Sequence, residues 1–351
     1  MKTLFLVVLL VSVLALPAFA ELTVTNLTPI GGDGNAFLTG VSSGHQVGFT
    51  GIQHASLWSG TAASRVDLNP VGKSVSFAFG VSNSQQVGST VVGADQHASL
   101  WSGTAASWID LCPTGSGSSR ACGVSNGQQV GDAYGHASLW YGSAGSRVDL
   151  NPAGAIGSSA VGVSNGWQVG HAIMVNGQAH ASLWNNTAVS WIDLNPVRAD
   201  WSAAQGTSDD QQVGYASISG ILHASLWRGN ATSWVDLNPV GANVSEATGV
   251  SNGWQVGTAN IGGRNHASLW SGTAASWIDL ESVLPIGAYL WSTASAVDVS
   301  GRDVWIAGYA IDSITTKTTA LLWHYTAPVP EPSSLVVLGS LLVPLLFRRR
   351  R

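Results

Sequence analysis

His266-Ala267-Ser268-Leu269-Trp270 is one of six identical pentapeptides in this chain. The others occupy 54–58, 97–101, 136–140, 180–184 and 223–227, and a worn seventh, Thr319-Ala320-Leu321-Leu322-Trp323, closes the series. Successive copies start 43, 39, 44, 43, 43 and 53 residues apart. A period of that size marks a repeat architecture, in which each copy is one supersecondary unit stacked on its neighbours.

Working outward from this copy, residues 247–281 read as four short strands. Ala247 to Ser251 is the first, a. Asn252-Gly253 then suits a type I′ hairpin, whose two central residues need φ > 0. Trp254 to Gly257 is the returning strand b and HASLW is strand c. Ser276-Trp277-Ile278-Asp279-Leu280 follows a small-residue turn and reads as strand d. Alternation along strand c puts Ala267 and Leu269 on one face and His266, Ser268 and Trp270 on the other. Helical periodicity is absent. Four strands in about 43 residues is the size of a β-propeller blade.

The chain supplies seven a, b and c strands but six clear d strands, whose aspartates are Asp67, Asp110, Asp149, Asp193, Asp236 and Asp279. The missing d strand is sought at the other end. Thr25-Asn26-Leu27-Thr28-Pro29 resembles Ile192-Asp193-Leu194-Asn195-Pro196, with Asn26 in place of the aspartate. The expectation is an all-β, seven-bladed β-propeller over 21–327, its ring closed by the N-terminal strand in the C-terminal blade. Closure protects sheet edges that an open array would expose. A stacked β-solenoid is the alternative fold, but it has no need to share a repeat between its ends.

Charged residues are 9% of the chain, with 42 glycines and 16 tryptophans. This is too apolar and aromatic for disorder. The formal net charge is −5, and several of the few basic residues sit at the extreme termini. No basic patch points to nucleic acid. Lys2, the apolar run Leu4 to Leu16 and Ala18-Phe19-Ala20 form a secretory signal, with cleavage expected after Ala20. In an exported chain Cys112 and Cys122 are expected to form a disulfide.

Every clear repeat holds His, Ser and Asp, which could be mistaken for a catalytic triad. An active site is needed once, so this set is read as buried groups satisfying one another within each blade. The HASLW tryptophans are read as packing between blades. Trp108, Trp191, Trp234 and Trp277 give way to Arg65 and Arg147 in two copies, which suggests a partly exposed outer position. His45 and His171 are read as solvated turn or loop residues without metal-ligand spacing. No cofactor motif is present.

The b–c connection is the variable one, with 5, 8, 4, 9, 8, 8 and 10 residues between the strand b glycine and the head of strand c. Together with the d–a connections it defines the face where binding is expected. Trp201 and Trp291, with Arg198 and Tyr289 near them in sequence, are the ligand candidates there. A glycan hydrolase or lyase would instead need a unique carboxylate pair at the channel mouth. The non-repeating acids available are Asp95, Asp132, Asp200, Asp209, Asp210 and Glu246.

After residue 327 the composition changes. Pro330-Glu331-Pro332 precedes an apolar run, Leu335 to Phe347, and the chain ends in four arginines. The run is short of the ~20 residues of a comfortable membrane span, and the arginines would stay on the cytoplasmic side. This segment resembles a PEP-CTERM sorting signal. The resemblance implies transient membrane association, recognition by an exosortase-type processing enzyme, and cleavage near the motif. The pattern G-V-S-N-G-x-Q-V-G, then H-A-x-L-W and D-L, resembles the HAF-type probable extracellular repeat, with Ser56 and Ser268 where that name implies Phe. The sequence therefore predicts three parts: a signal over 1–20, a propeller over 21–327 and a sorting segment over 328–351. The expected role is non-enzymatic binding or adhesion at the cell surface or in the matrix, with extracellular polysaccharide the leading ligand. A spacer without a specific ligand is a further alternative.

Overall fold

The structure, a computed structural model, describes residues 20–30, 34–51 and 53–328. Seven four-stranded antiparallel sheets form the seven blades of a β-propeller. Blade 1 comprises Ala36–Ser42, His45–Thr50, Ala55–Trp58 and Val66–Asp67 as strands a to d. Blades 2 to 6 repeat this order over 76–110, 119–149, 155–193, 201–236 and 242–279. Blade 7 takes Tyr289–Ser300, Asp303–Asp312 and Thr318–Thr326 from the end of the chain and Glu21–Asn26 from its start. The solenoid alternative is thereby excluded. No helix among the described residues is long and apolar enough to cross a membrane.

The closing strand sits in the predicted register. Asn26 faces Leu321, as Asp67 faces Ser56 in blade 1. Its Oδ1 accepts from the Thr28 N–H at 2.8 Å, as Asp67 Oδ1 accepts from Asn69 N–H at 2.8 Å. An asparagine suffices because the structural duty here is to accept one backbone N–H. Trp58 then packs against Leu27, Ala307, Ala320 and Leu322, which locks blade 1 onto blade 7.

The same joint recurs around the ring. Trp101 of blade 2, for example, fills the space beside Leu57, Leu68 and Ala78. The seven strand c tryptophans are fully buried. In six of them the indole N–H has no hydrogen-bond partner; Trp323 donates to Leu280 O at 3.1 Å. A partnerless buried N–H costs about 1–3 kcal/mol. Burying an indole of about 150–250 Å² returns roughly 4–6 kcal/mol at about 25 cal/mol/Å². Apolar packing therefore wins at these joints. Stacked blades also bury both faces of strand c, so Ala267 to Trp270 is buried throughout rather than alternating.

Two local expectations are refined. Asn252 and Gly253 have φ of 44° and 83°, as a type I′ turn requires. Strand d is only two residues long, Ile278–Asp279, because Ala274–Ser276 makes a 3-10 turn before it. A very short outer strand leaves little exposed edge to pair with other chains.

Candidate functional site

The repeated polar set forms a chain of bonds inside each of the six blades that carry it. In blade 6, Trp277 Nε1 donates to Ser268 Oγ at 2.9 Å, and Ser268 Oγ donates to His266 O at 2.9 Å. His266 Nδ1 lies 2.9 Å from Asp279 Oδ2. The His–Asp distance is 2.7–2.9 Å in all six blades that carry the pair. The serines are buried, but the His and Asp side chains stay 16–36% and 29–45% exposed. They form a half-exposed staple at the outer edge of these six blades, not the buried set the sequence suggested. Burial opposes ionisation of Asp67 and Asp149. Bonds from His54 and His136 and from backbone N–H groups, with nearby Arg65 and Arg147, outweigh it and hold both carboxyls below the usual range.

Chemistry that differs from blade to blade lies on the axis. Each strand a carries a β-bulge, such as the shift between Ala247 and Gly249. There a Cβ on Gly257 of strand b would stand 2.0 Å from Glu246 O, so only glycine accepts the approach. The central channel, about 600 Å³, is walled by strand a residues from all seven blades, such as Thr248, Gly249 and Val250.

Two positions per blade meet at the channel mouth on the face of the b–c and d–a connections. One is the x of S-x-A on strand a, and the other follows the Q-V-G of strand b. They pair as Phe37 with Phe49, Phe77 with Ser89, Arg120 with Asp132, and Ser159 with His171. Ala203 with Tyr215, Glu246 with Thr258, and Thr293 with Tyr309 complete the ring.

Half of this mouth is aromatic. Trp291 meets Tyr309 edge-on at 5.8 Å, Tyr309 meets Phe37 at 5.0 Å, and Phe37 stacks on Phe49 at 4.5 Å. Phe49 meets Phe77 at 5.0 Å, and Phe77 lies 6.3 Å from Phe79. Six rings thus run without a break across blades 7, 1 and 2. Blades 3, 4 and 6 present polar groups, and blade 5 carries Tyr215. Arg120 Nη2 donates to Asp132 Oδ1 at 2.9 Å. Burial lowers the pKa of His171. Burial raises those of Glu246 and Tyr215, the latter also through the nearby Glu246 charge.

The sequence candidates divide. Trp201 and Trp291 reach the mouth, but as early residues of strand a (Trp201–Ser208 and Tyr289–Ser300) rather than in the connections. Trp201 is 36% exposed and meets Tyr215 edge-on at 5.6 Å, matching Trp291 on Tyr309. Arg198 is exposed in the d–a turn of blades 4 and 5. Tyr289 packs into the cluster around Leu284 and Tyr325 instead of lining the channel. His171 is a correction: it is a half-buried strand b residue (Trp167–Met174) at the mouth, not a solvated loop residue.

The disulfide is not formed in the structure: Cys112 and Cys122 are both free thiols. Cys112 occupies the slot of Asn69 in the d–a connection, with Gly117 O 3.6 Å from its Sγ. Cys122 lines the channel, where burial pushes its thiol up to about 12. One cysteine faces the axis while the other is held in a loop.

Among the acids, Asp132 and Glu246 reach the mouth on different blades. Asp200 accepts from Gly220 N–H at 2.9 Å, and Asp95 from Ser118 Oγ at 3.3 Å. Asp209 and Asp210 lie in an a–b turn on the opposite face. No group of three or more His, Cys, Asp or Glu among the described residues could hold a metal ion. Ala20 is exposed at the start of the described chain; the rest of the signal and the motif Pro330, Glu331 and Pro332 lie outside the described residues.

No protein-family model matches the chain, and no curated protein matches it in sequence. Solved structures do. A puromycin-hydrolysing peptidase from Mycobacterium tuberculosis aligns with a TM-score of 0.54 at 11% identity, over 82% of this chain and 53% of that one. A post-proline cleaving enzyme from Rickettsia typhi aligns with a TM-score of 0.51 at 10% identity, over 84% and 52%. The chain thus spans about half the length of these proteins. Likeness at this identity concerns the fold alone.

Proposed function

We propose that this protein is an exported, non-enzymatic propeller that binds carbohydrate at its channel mouth, with extracellular polysaccharide as the ligand class. The observation that carries this is the unbroken line of rings from Trp291 to Phe79, with Arg120, Asp132, His171 and Glu246 on blades 3, 4 and 6. A sugar presents apolar C–H faces and polar hydroxyl edges. A concave site of aromatic planes beside a few polar groups accommodates both. The fixed strands hold these groups in place before the ligand arrives, which limits the ordering cost of binding.

Topology adds an orientation. Glu21 pairs with Thr326, which pairs with Asp303 just after an a–b turn. Both ends of the described chain therefore leave on the face opposite the mouth. If residues 328–351 act as a PEP-CTERM segment, the protein is held at the membrane by that far face until an exosortase-type enzyme cuts it. The mouth then points away from the membrane until that cut.

Co-sedimentation of the protein with extracellular polysaccharide of the source organism tests this reading. Saturable binding is expected, weakened by Phe37→Ala with Phe77→Ala. Absence of binding by folded protein contradicts it.

A glycan hydrolase is the second reading, favoured by the raised pKa of Glu246, which suits a general acid. Against it, the other mouth carboxylate, Asp132, is engaged by Arg120. Release of reducing ends by the wild type but not by Glu246→Gln would establish it.

A further inference from the structure

A recess of about 240 Å³ opens beside the channel at the seam of blades 6 and 7. It is lined by Trp291, Tyr309, Glu246, Thr258, Asn260 and Asn265, among others. Glu246, Thr258 and Tyr309 also line the channel, so the two spaces adjoin. We propose that this recess is a subsite for one neutral pyranose unit of a glycan lying across the mouth, a proposal that rests on the channel-mouth reading above.

The size comes first. Pockets for drug-sized ligands run to roughly 300–1,000 Å³, so this one suits a single ring rather than a chain. Its walls also divide by chemistry. Trp291 and Tyr309 supply an apolar corner, joined edge-on at 5.8 Å. The opposite side is an amide relay. Asn243 Nδ2 donates to Asn260 Oδ1 at 3.0 Å, and Asn260 Nδ2 donates to Asn265 Oδ1 at 2.8 Å. The relay fixes Asn265 through its oxygen and leaves its Nδ2 donors for a hydroxyl.

Glu246 stands between these walls. Its carboxyl has no hydrogen bond or ion pair among the described residues, although it is half-buried. A partly buried carboxyl without partners is a standing cost, and two adjacent sugar hydroxyls would supply them. Burial alone raises its pKa. The sole carboxylate of the recess, it would repel the carboxylate of a uronate unit, so the subsite selects a neutral ring. The Thr258 and Thr293 hydroxyls bond to each other across the blade seam, fixing the floor. The repeat pattern shows that this corner is special. Trp occurs at its strand a position only in blades 5 and 7, the two blades where Tyr follows the strand b glycine, and they flank the blade of Glu246.

The test is an array of neutral and uronate-bearing oligosaccharides probed with the full protein and four variants. The wild type should retain neutral glycans. Trp291→Ala and Asn265→Ala should each lose about tenfold or more in affinity, the worth of about 1.4 kcal/mol. Asn265 is exposed in a hairpin, so its variant keeps the test alive if Trp291→Ala fails to fold. Phe77→Ala should weaken binding but keep the preference for neutral glycans, and Glu246→Gln should erase that preference. Loss in Phe77→Ala with wild-type binding by Trp291→Ala and Asn265→Ala overturns the recess and leaves the mouth standing. Preference for uronates overturns the proposed selectivity. No glycan retained by folded wild type overturns both readings.

Discussion

The outer edge of the ring and the mouth of its channel use the same repeat in opposite ways. At the edge, six blades hold the same His–Asp pair at 2.7–2.9 Å. At the mouth, paired positions change from Phe37 and Phe49 to Arg120 and Asp132 to Glu246 and Thr258. One backbone carries both because the bulge and the strand b glycine fix the frame. The side chains beside them are free to differ. Repetition marks what the ring needs in blade after blade, and departure from it marks what is needed once.

The comparison breaks most readily at the blade joints. Trp270→Ala removes a fully buried side chain and should destabilise the protein by about 3–5 kcal/mol in chemical denaturation. Phe37→Ala, at the half-buried mouth, should cost less than Trp270→Ala while weakening glycan binding. Equal losses of stability would erase the distinction between scaffold and site. Ser268→Ala strands the Trp277 indole N–H and should cost about 1–3 kcal/mol, with binding unchanged. His266→Ala breaks a pair whose partners are 16% and 29% exposed, and about 0.2–1 kcal/mol is expected.

The smallest effect should carry the opposite sign. Glu246 has a folded pKa above its ordinary value, so the folded state holds its proton more tightly than the unfolded chain. Its contribution is fully present below the unfolded pKa and is lost as pH rises through the folded one. Glu246→Gln should therefore raise the melting temperature at neutral pH and leave it unchanged near pH 3. Tyr215 and Tyr309, the titratable groups beside it on the flanking blades, remain neutral over that range. No gain at neutral pH would mean that the carboxyl is solvated, and the mouth would lose its strained member.

The fold was legible because its signals repeat. Seven copies fixed the blade count, and Asn26-Leu27 with Pro29 disclosed the closing strand. The d strands shrank because a 3-10 turn takes Ser276 and leaves Trp277 as its cap, and the small residues around it gave no warning of that turn. The site was legible only in part. Trp201 and Trp291 stood out as residues outside the period. His171 did not, because the repeated Q-V-G ends at Gly170, whereas strand b runs on to Met174 and carries His171 to the mouth. Variable loop length drew attention to the connections of the face that carries the aromatic line, whereas that line is built from strand residues. The stronger signal was the unmatched residue inside S-x-A-x-G and after Q-V-G, a single difference framed by identity in blades 2 to 6. The disulfide failed as an expectation because ten residues of sequence separation say nothing of direction. Cys122 faces the axis and Cys112 fills an asparagine slot.

The most direct measurement is a crystal structure of the protein soaked with a glycan that it retains. The account predicts sugar density along Phe37, Phe49 and Phe77, with one ring in the recess beside Trp291 and Glu246. Density confined to the a–b turn face or to the outer strands would contradict it.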